Sequence, residues 1–203
     1  FAAYWGVPHA VAVSNGTTAL HAALLAAGVG PGDEVVVPAF TFFATASAVS
    51  MCGAVPVFAD VDPATATIDP ADIIVKITEK TKAVIAVHLY GQPCDAAVVN
   101  KICDARDLIF IEDAAQAHGA TYRGQKTGSL GDLACFSFYA TKNMATGEGG
   151  MVTTASAEYD ARLRRIINHG QSEKYLHTEL GYNYRMTDIN AAIGRVQLAK
   201  LDG

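Results

Sequence analysis

"LIFIEDAAQAHGA", Leu108 to Ala120, decides how this chain is read. Its four apolar residues are too few for a helix and too continuous for a half-exposed strand. They read as a strand buried on both faces. The run ends in two carboxylates, Glu112 and Asp113. Successive side chains of a strand point to opposite faces, so these two diverge. A carboxylate at such a place is costly without a partner. Asp113 is therefore read either as the partner of a protonated heterocyclic nitrogen or as a local group. In the local reading it caps Ala114–Ala117 or pairs with an arginine. His118 follows with no second histidine three or four positions on, so a zinc site is not expected.

The same pattern extends outward. Further strands are expected at Ala10–Val13, Glu34–Pro38, Val55–Ala59, Ala83–His88, Leu133–Phe138 and Gly150–Thr154, with Leu108–Glu112 among them. Helices are expected at Thr17–Ala27, Ala44–Cys52, Pro70–Ile77, Ala96–Ala105, Ala157–Asn168 and Thr187–Leu201. Strands alternating with helices predict an α/β domain, three layers α/β/α, around a mostly parallel sheet of about seven strands. The 203 residues suffice for one sizeable domain, and 51% hydrophobic residues supply its core. A net charge of −5 argues against a nucleic-acid surface. No apolar run is long and clean enough to span a bilayer, and no leader peptide is read at the start. The cysteines, Cys52, Cys94, Cys103 and Cys135, match no zinc or redox spacing and are expected to be buried thiols in a reducing cytoplasm.

Parallel α/β sheets bind ligands at the carboxyl ends of their strands, so those positions carry the functional reading. After the first strand, Ser14, Asn15 and Gly16 turn into a helix whose free amides suit a phosphate, with Thr17 and Thr18 adding hydroxyls. The same residues also make an ordinary helix cap. After the second strand, Phe40, Phe42 and Phe43 crowd a helix entry. Spacing favours core for these rings, although one of them is suited to stack on a flat ligand. In "FSFYATKNMATGEGGMVTT", Phe136 to Thr154, Lys142 has no charged neighbour within five residues on either side. A buried lysine amine is a nucleophile, whereas a snorkelling one is only a surface cation. Ser137 offers a hydroxyl beside it. His88 and Tyr90 are read as lining the site or as simply finishing a strand, and Arg185 as facing a substrate phosphate or pairing with a local acid such as Asp188. Anion cradle, flat apolar face, acid for a ring nitrogen and amine together form the set that pyridoxal 5'-phosphate requires.

The chain also resembles the DegT/DnrJ/EryC1/StrS family of sugar aminotransferases. "EDAAQAHGA", "FSFYATKN" and "GYNYRMTDINAA" carry the resemblance most specifically, and matching stretches run the whole chain in family order. The resemblance implies the large domain of an aspartate-aminotransferase-type fold, with residues 1–203 as the cofactor-binding domain. Family members have further residues before it and a smaller domain after it. It implies that Lys142 holds the cofactor through a Schiff base and that Asp113 meets the pyridine nitrogen. By the same resemblance Gln116 would contact the ring hydroxyl side, Phe42 would stack on the ring, and Gly16, Thr17 and Ser137 would hold the phosphate. Asn183 would reach the phosphate of a neighbouring subunit in a homodimer with shared active sites. The implied substrates are an amino-acid donor, glutamate above all, and a nucleotide-linked keto sugar. A regulatory or non-catalytic member and a sugar dehydratase are the alternatives. The dehydratase branch carries histidine where this chain has Lys142, which favours transamination.

Overall fold

A computed structural model describes residues 1–202. In chain order its elements are α1 (Ala2–Trp5), β1 (His9–Val13), α2 (Gly16–Ala26), β2 (Glu34–Pro38), α3 (Ala44–Met51) and β3 (Val55–Ala59). Next come α4 (Pro70–Lys76), β4 (Thr81–Val87), α5 (Ala96–Asp104), β5 (Ile109–Asp113), β6 (Thr121–Tyr122) and β7 (Gln125–Lys126). The chain continues with β8 (Leu133–Ser137), β9 (Gly150–Thr154), α6 (Ala157–Ile166), β10 (Gln171–Glu173), β11 (Leu176–His177) and α7 (Asp188–Leu198). A 3-10 turn, Leu89–Gly91, follows β4.

The central sheet has seven strands in the order β1-β9-β8-β5-β4-β2-β3. Strands β3, β2, β4, β5 and β8 pair in parallel, while β9 pairs antiparallel with both β8 and β1. The expected mostly parallel sheet is therefore correct. The short hairpins β6–β7 and β10–β11 and helix α1 were not expected from the sequence; β2, β3 and β9 have the expected bounds, and the other expected elements differ by one to three residues at an end. Such ends depend on hydrogen bonds that periodicity does not carry.

Strand parity organises the layers. Val35 and Val37 on β2, Ala83 and Ile85 on β4, Ile111 on β5, and Leu133 and Cys135 on β8 share one core with α2, α3 and α6. The alternate positions Val36, Val84, Ala86 and Phe110 pack against α4 and α5. On β8 and beyond, Ala134, Phe136 and Phe138 pack against Trp5 of α1. The helix-covered faces explain why these strands read as continuous apolar runs. Parity also predicts where strand-end side chains go: odd-numbered Asp113 and Ser137 face the α2–α3 layer, and even-numbered Glu112 faces away.

Candidate active site

Glu112 and Asp113 do part as the pleat requires, and their environments differ. Glu112 is fully buried and receives N–H donors from Gly128 (2.7 Å), Leu130 (2.7 Å) and Gly131 (2.9 Å). His88 Nε2 lies 2.8 Å from the same carboxylate, and its Nδ1 accepts the Cys94 N–H at 3.2 Å. An accepting Nδ1 leaves the proton on Nε2, which donates to Glu112. His88 is thus a structural strap on the α4–α5 face. The expectation that it lines the site is corrected, because its parity turns it away.

Asp113 faces a cavity of about 480 Å³ at the carboxyl ends of β1, β2, β4, β5 and β8. It accepts the Thr45 hydroxyl (2.9 Å) and the Ala115 N–H (3.2 Å), and no cation pairs with it among the described residues. Burial pushes its pKa up from the ordinary carboxylate value. The hydrogen bonds from Thr45 and Ala115, and the nearby charge of Lys142, oppose that rise. The carboxylate is therefore costly until a cation reaches it. Both readings of Asp113 survive in part, since it does take one amide of the following turn.

The cavity's anion end is built by α2. The Asn15 side chain accepts the Thr18 N–H at 2.8 Å, Thr18 Oγ1 accepts the Asn15 N–H, and the Asn15 carbonyl takes the Ala19 N–H. This capping box leaves the Gly16 and Thr17 amides without intrachain acceptors among the described residues. Thr18 spends its hydroxyl on the cap, so it is not a donor to the cavity. A Cβ on Gly16 would lie 2.7 Å from Ser137 Cβ, so only glycine lets the helix start approach β8 this closely. Gly16, Thr17 and Ser137 all line the cavity. Free amides, a helix dipole and a serine hydroxyl meeting there make an anion cradle.

Phe42 also lines the cavity and is 71% exposed, with Phe40 and Phe43 exposed beside it. The core expectation from spacing is therefore wrong for all three rings. They sit in the loop between β2 and α3, beyond the last layer that could bury them. Lys142 lies in the turn after β8, where its N–H bonds the Tyr139 carbonyl (2.9 Å). It is half-buried rather than dry, and it makes no ion pair among the described residues. The glycines after it let the chain reverse into β9: a Cβ on Gly150 would meet the Asn15 carbonyl oxygen at 2.5 Å. Gln116 lines the cavity, and its Oε1 accepts the Tyr90 N–H at 2.8 Å.

A second cavity of about 520 Å³ adjoins the first and shares Gln116, Thr141 and Lys142 with it. Tyr90 lines this one, exposed and with φ of +55°. His118 lies against Phe136 and Phe138, and neither ring nitrogen makes a hydrogen bond among the described residues. Asn183 is exposed, bridges Asn168 and does not line its own chain's cavity. Arg185 donates to the Asn168 side chain at 2.6 Å, so the expected pairing with Asp188 is not formed. All cysteines are buried and free; burial pushes the thiols of Cys52 and Cys103 up to about 12. Among the described residues no group of His, Cys, Asp and Glu is arranged to hold a metal, and no helix is long and apolar enough to cross a membrane. Thr45, the closest partner of Asp113, was missed in the sequence, where nothing distinguishes it from other threonines at helix starts.

Sheet order, the single antiparallel strand and a site at the strand ends facing α2 define an α/β transferase domain of the aspartate-aminotransferase type. The chain belongs to the DegT/DnrJ/EryC1/StrS aminotransferase family, which it matches over residues 1–203. It is 52% identical to the GDP-perosamine synthase of Caulobacter vibrioides, covering 100% of this chain and 55% of that protein. It is 50% identical to a pleiotropic regulatory protein of Geobacillus stearothermophilus, over 99% of this chain and 54% of that protein. Its structure superposes on S. venezuelae DesV with a TM-score of 0.96 at 45% identity, over 99% of this chain and 54% of that one. The chain spans about half the length of the curated relatives it matches.

Proposed function

We propose that the protein is a pyridoxal-phosphate-dependent aminotransferase that moves an amino group from an amino acid, glutamate being the expected donor, to a keto sugar carried on a nucleotide. In this reading residues 1–203 are its cofactor-binding large domain. The observation that carries the reading is the convergence of Gly16, Thr17, Phe42, Asp113, Gln116, Ser137 and Lys142 on one cavity. The residues fit the cofactor. The unused amides and the close Gly16–Ser137 approach suit its phosphate, and a buried carboxylate without a cation suits its ring nitrogen.

When bound, pyridoxal phosphate supplies a protonated ring that draws electrons from the carbon losing its proton. Asp113 would hold the proton on the ring nitrogen, Phe42 would stack on the ring, and Gln116, steadied by the Tyr90 amide, would contact the ring hydroxyl. Lys142 Nζ, which makes no ion pair among the described residues, would hold the cofactor covalently, and its free amine would serve as the general base for the donor's Cα proton.

The reading includes a homodimer with shared active sites. Asn183, exposed and outside its own cavity, would serve the partner's phosphate. It also places the protein in the cytoplasm, in keeping with four free thiols. Relatives named as sugar-nucleotide enzymes, such as the Caulobacter vibrioides synthase, support the acceptor class, and lysine at position 142 supports transamination over dehydration.

Absorbance spectra of the purified protein with pyridoxal phosphate, before and after glutamate, test the first half-reaction. Borohydride reduction and peptide mapping must place the adduct on Lys142. Lys142→Ala should lose the adduct and all turnover yet still bind pyridoxamine phosphate. An adduct on another lysine would overturn the assignment. Failure to aminate any nucleotide keto sugar, with the half-reaction intact, would favour a regulatory role.

A further inference from the structure

Resting on that functional reading, we infer that Thr45 is a positioning residue for the cofactor's ring nitrogen: its hydroxyl fixes the Asp113 carboxylate and keeps it ionised. Thr45 is wholly buried near the start of α3, and its Oγ1 donates to Asp113 Oδ2 at 2.9 Å. A hydroxyl has one proton, so the bond's direction is set by its other partner. Thr41 Oγ1 lies 3.0 Å from Thr45 Oγ1 and can donate to it, leaving the Thr45 proton for Asp113. The Ala115 N–H holds the other carboxylate oxygen, so the two bonds fix both the place and the rotation of the group.

The relay has a further geometric consequence. Thr41, Phe42 and Thr45 lie on one short segment leading from β2 into α3, and the Thr45 N–H bonds the Phe42 carbonyl at 3.2 Å. The segment that presents a ring to the cavity is thereby tied to the acid on β5. Other charged or titratable groups near Asp113 are Lys142 in the turn after β8, His88 after β4 and Cys135 on β8. His88 is committed to Glu112, and the Cys135 thiol is pushed well up by burial and by the carboxylates themselves. Thr45 is therefore the side chain that stabilises the charged form through a direct bond.

The test uses two variants. Thr45→Val keeps the shape and removes the hydroxyl; Thr45→Ser restores it. Difference infrared spectra, with Asp113→Asn to assign the band, give the pH midpoint of the Asp113 carboxyl without any cofactor. Fluorescence titration gives the affinity for pyridoxal phosphate. Thr45→Val should raise the carboxyl midpoint and weaken cofactor binding about tenfold or more, as expected for a lost hydrogen bond to a charged group. Thr45→Ser should recover most of both. An Asp113 midpoint unchanged in Thr45→Val would overturn the inference. So would weakened binding that serine fails to rescue, since that would mark a packing role. A wild-type protein that takes up no pyridoxal phosphate would overturn the functional reading instead, and the carboxyl midpoint would still decide whether Thr45 governs Asp113.

Discussion

His118 makes the protein acid-sensitive, and the size of the effect follows from its surroundings. The ring is packed against Phe136 (5.6 Å between ring centroids) and Phe138 (5.9 Å), and neither nitrogen makes a hydrogen bond among the described residues. Burial lowers its pKa from the ordinary 6.5 to about 4; the Ser137 backbone opposes the drop, and Lys142 adds to it. Below the ordinary value the unfolded chain binds a proton that the folded chain refuses. Stability is therefore intact at neutral pH and is lost as pH falls from 6.5 toward about 4. At about 1.4 kcal/mol per tenfold change in proton affinity, the full loss approaches about 3 kcal/mol. Between about pH 7.5 and about pH 4.5 it amounts to roughly 2–3 kcal/mol. His118→Phe removes the titration and the orphaned nitrogens while keeping a flat ring. His118→Leu guards against overpacking. Urea unfolding at the two pH values should show the variants losing roughly 2–3 kcal/mol less than the wild type. Equal losses in all three proteins would refute the reasoning.

Other positions give sharper contrasts. Glu112→Ala strips the partner from three amides, one of them fully buried, and from buried His88, and it should cost on the order of 3–5 kcal/mol of unfolding free energy; a loss below about 1 kcal/mol by urea unfolding would contradict the strap. Asp113→Asn should weaken pyridoxal phosphate binding yet stabilise the cofactor-free chain. The raised carboxyl pKa costs the folded state stability as pH climbs above the ordinary value, and the amide does not titrate. Identical stability profiles from about pH 4 to about pH 8 would contradict this. Gly16→Ala forces a methyl to 2.7 Å from Ser137 Cβ, so pyridoxal phosphate affinity should fall by about tenfold or more, as measured by fluorescence titration.

The anion cradle illustrates how far local reading reaches. Ser14-Asn15-Gly16-Thr17 announces a helix start, because capping is a matter of adjacent residues. Whether that start holds an anion depends on Ser137 arriving beside Gly16 from far along the chain, which no local pattern encodes. Phe42 shows the opposite failure: an aromatic cluster reads as core, yet burial depends on what lies beyond the loop, and none of the described residues covers it.

From the sequence alone came the alternation of strands and helices, the burial of the strands on both faces, and the divergence of Glu112 from Asp113. Each is a consequence of backbone period and local apolar content, and each holds whatever the strand order. The tertiary structure decided the antiparallel course of β9, the alliance of His88 with Glu112, the half-exposure of Lys142 and the bond from Thr45 to Asp113. These depend on contacts between residues distant in the chain, such as Thr45 and Asp113 at a separation of 68. A hydroxyl's role there is set by what folding brings within 3 Å, and its own neighbours in sequence carry no trace of it.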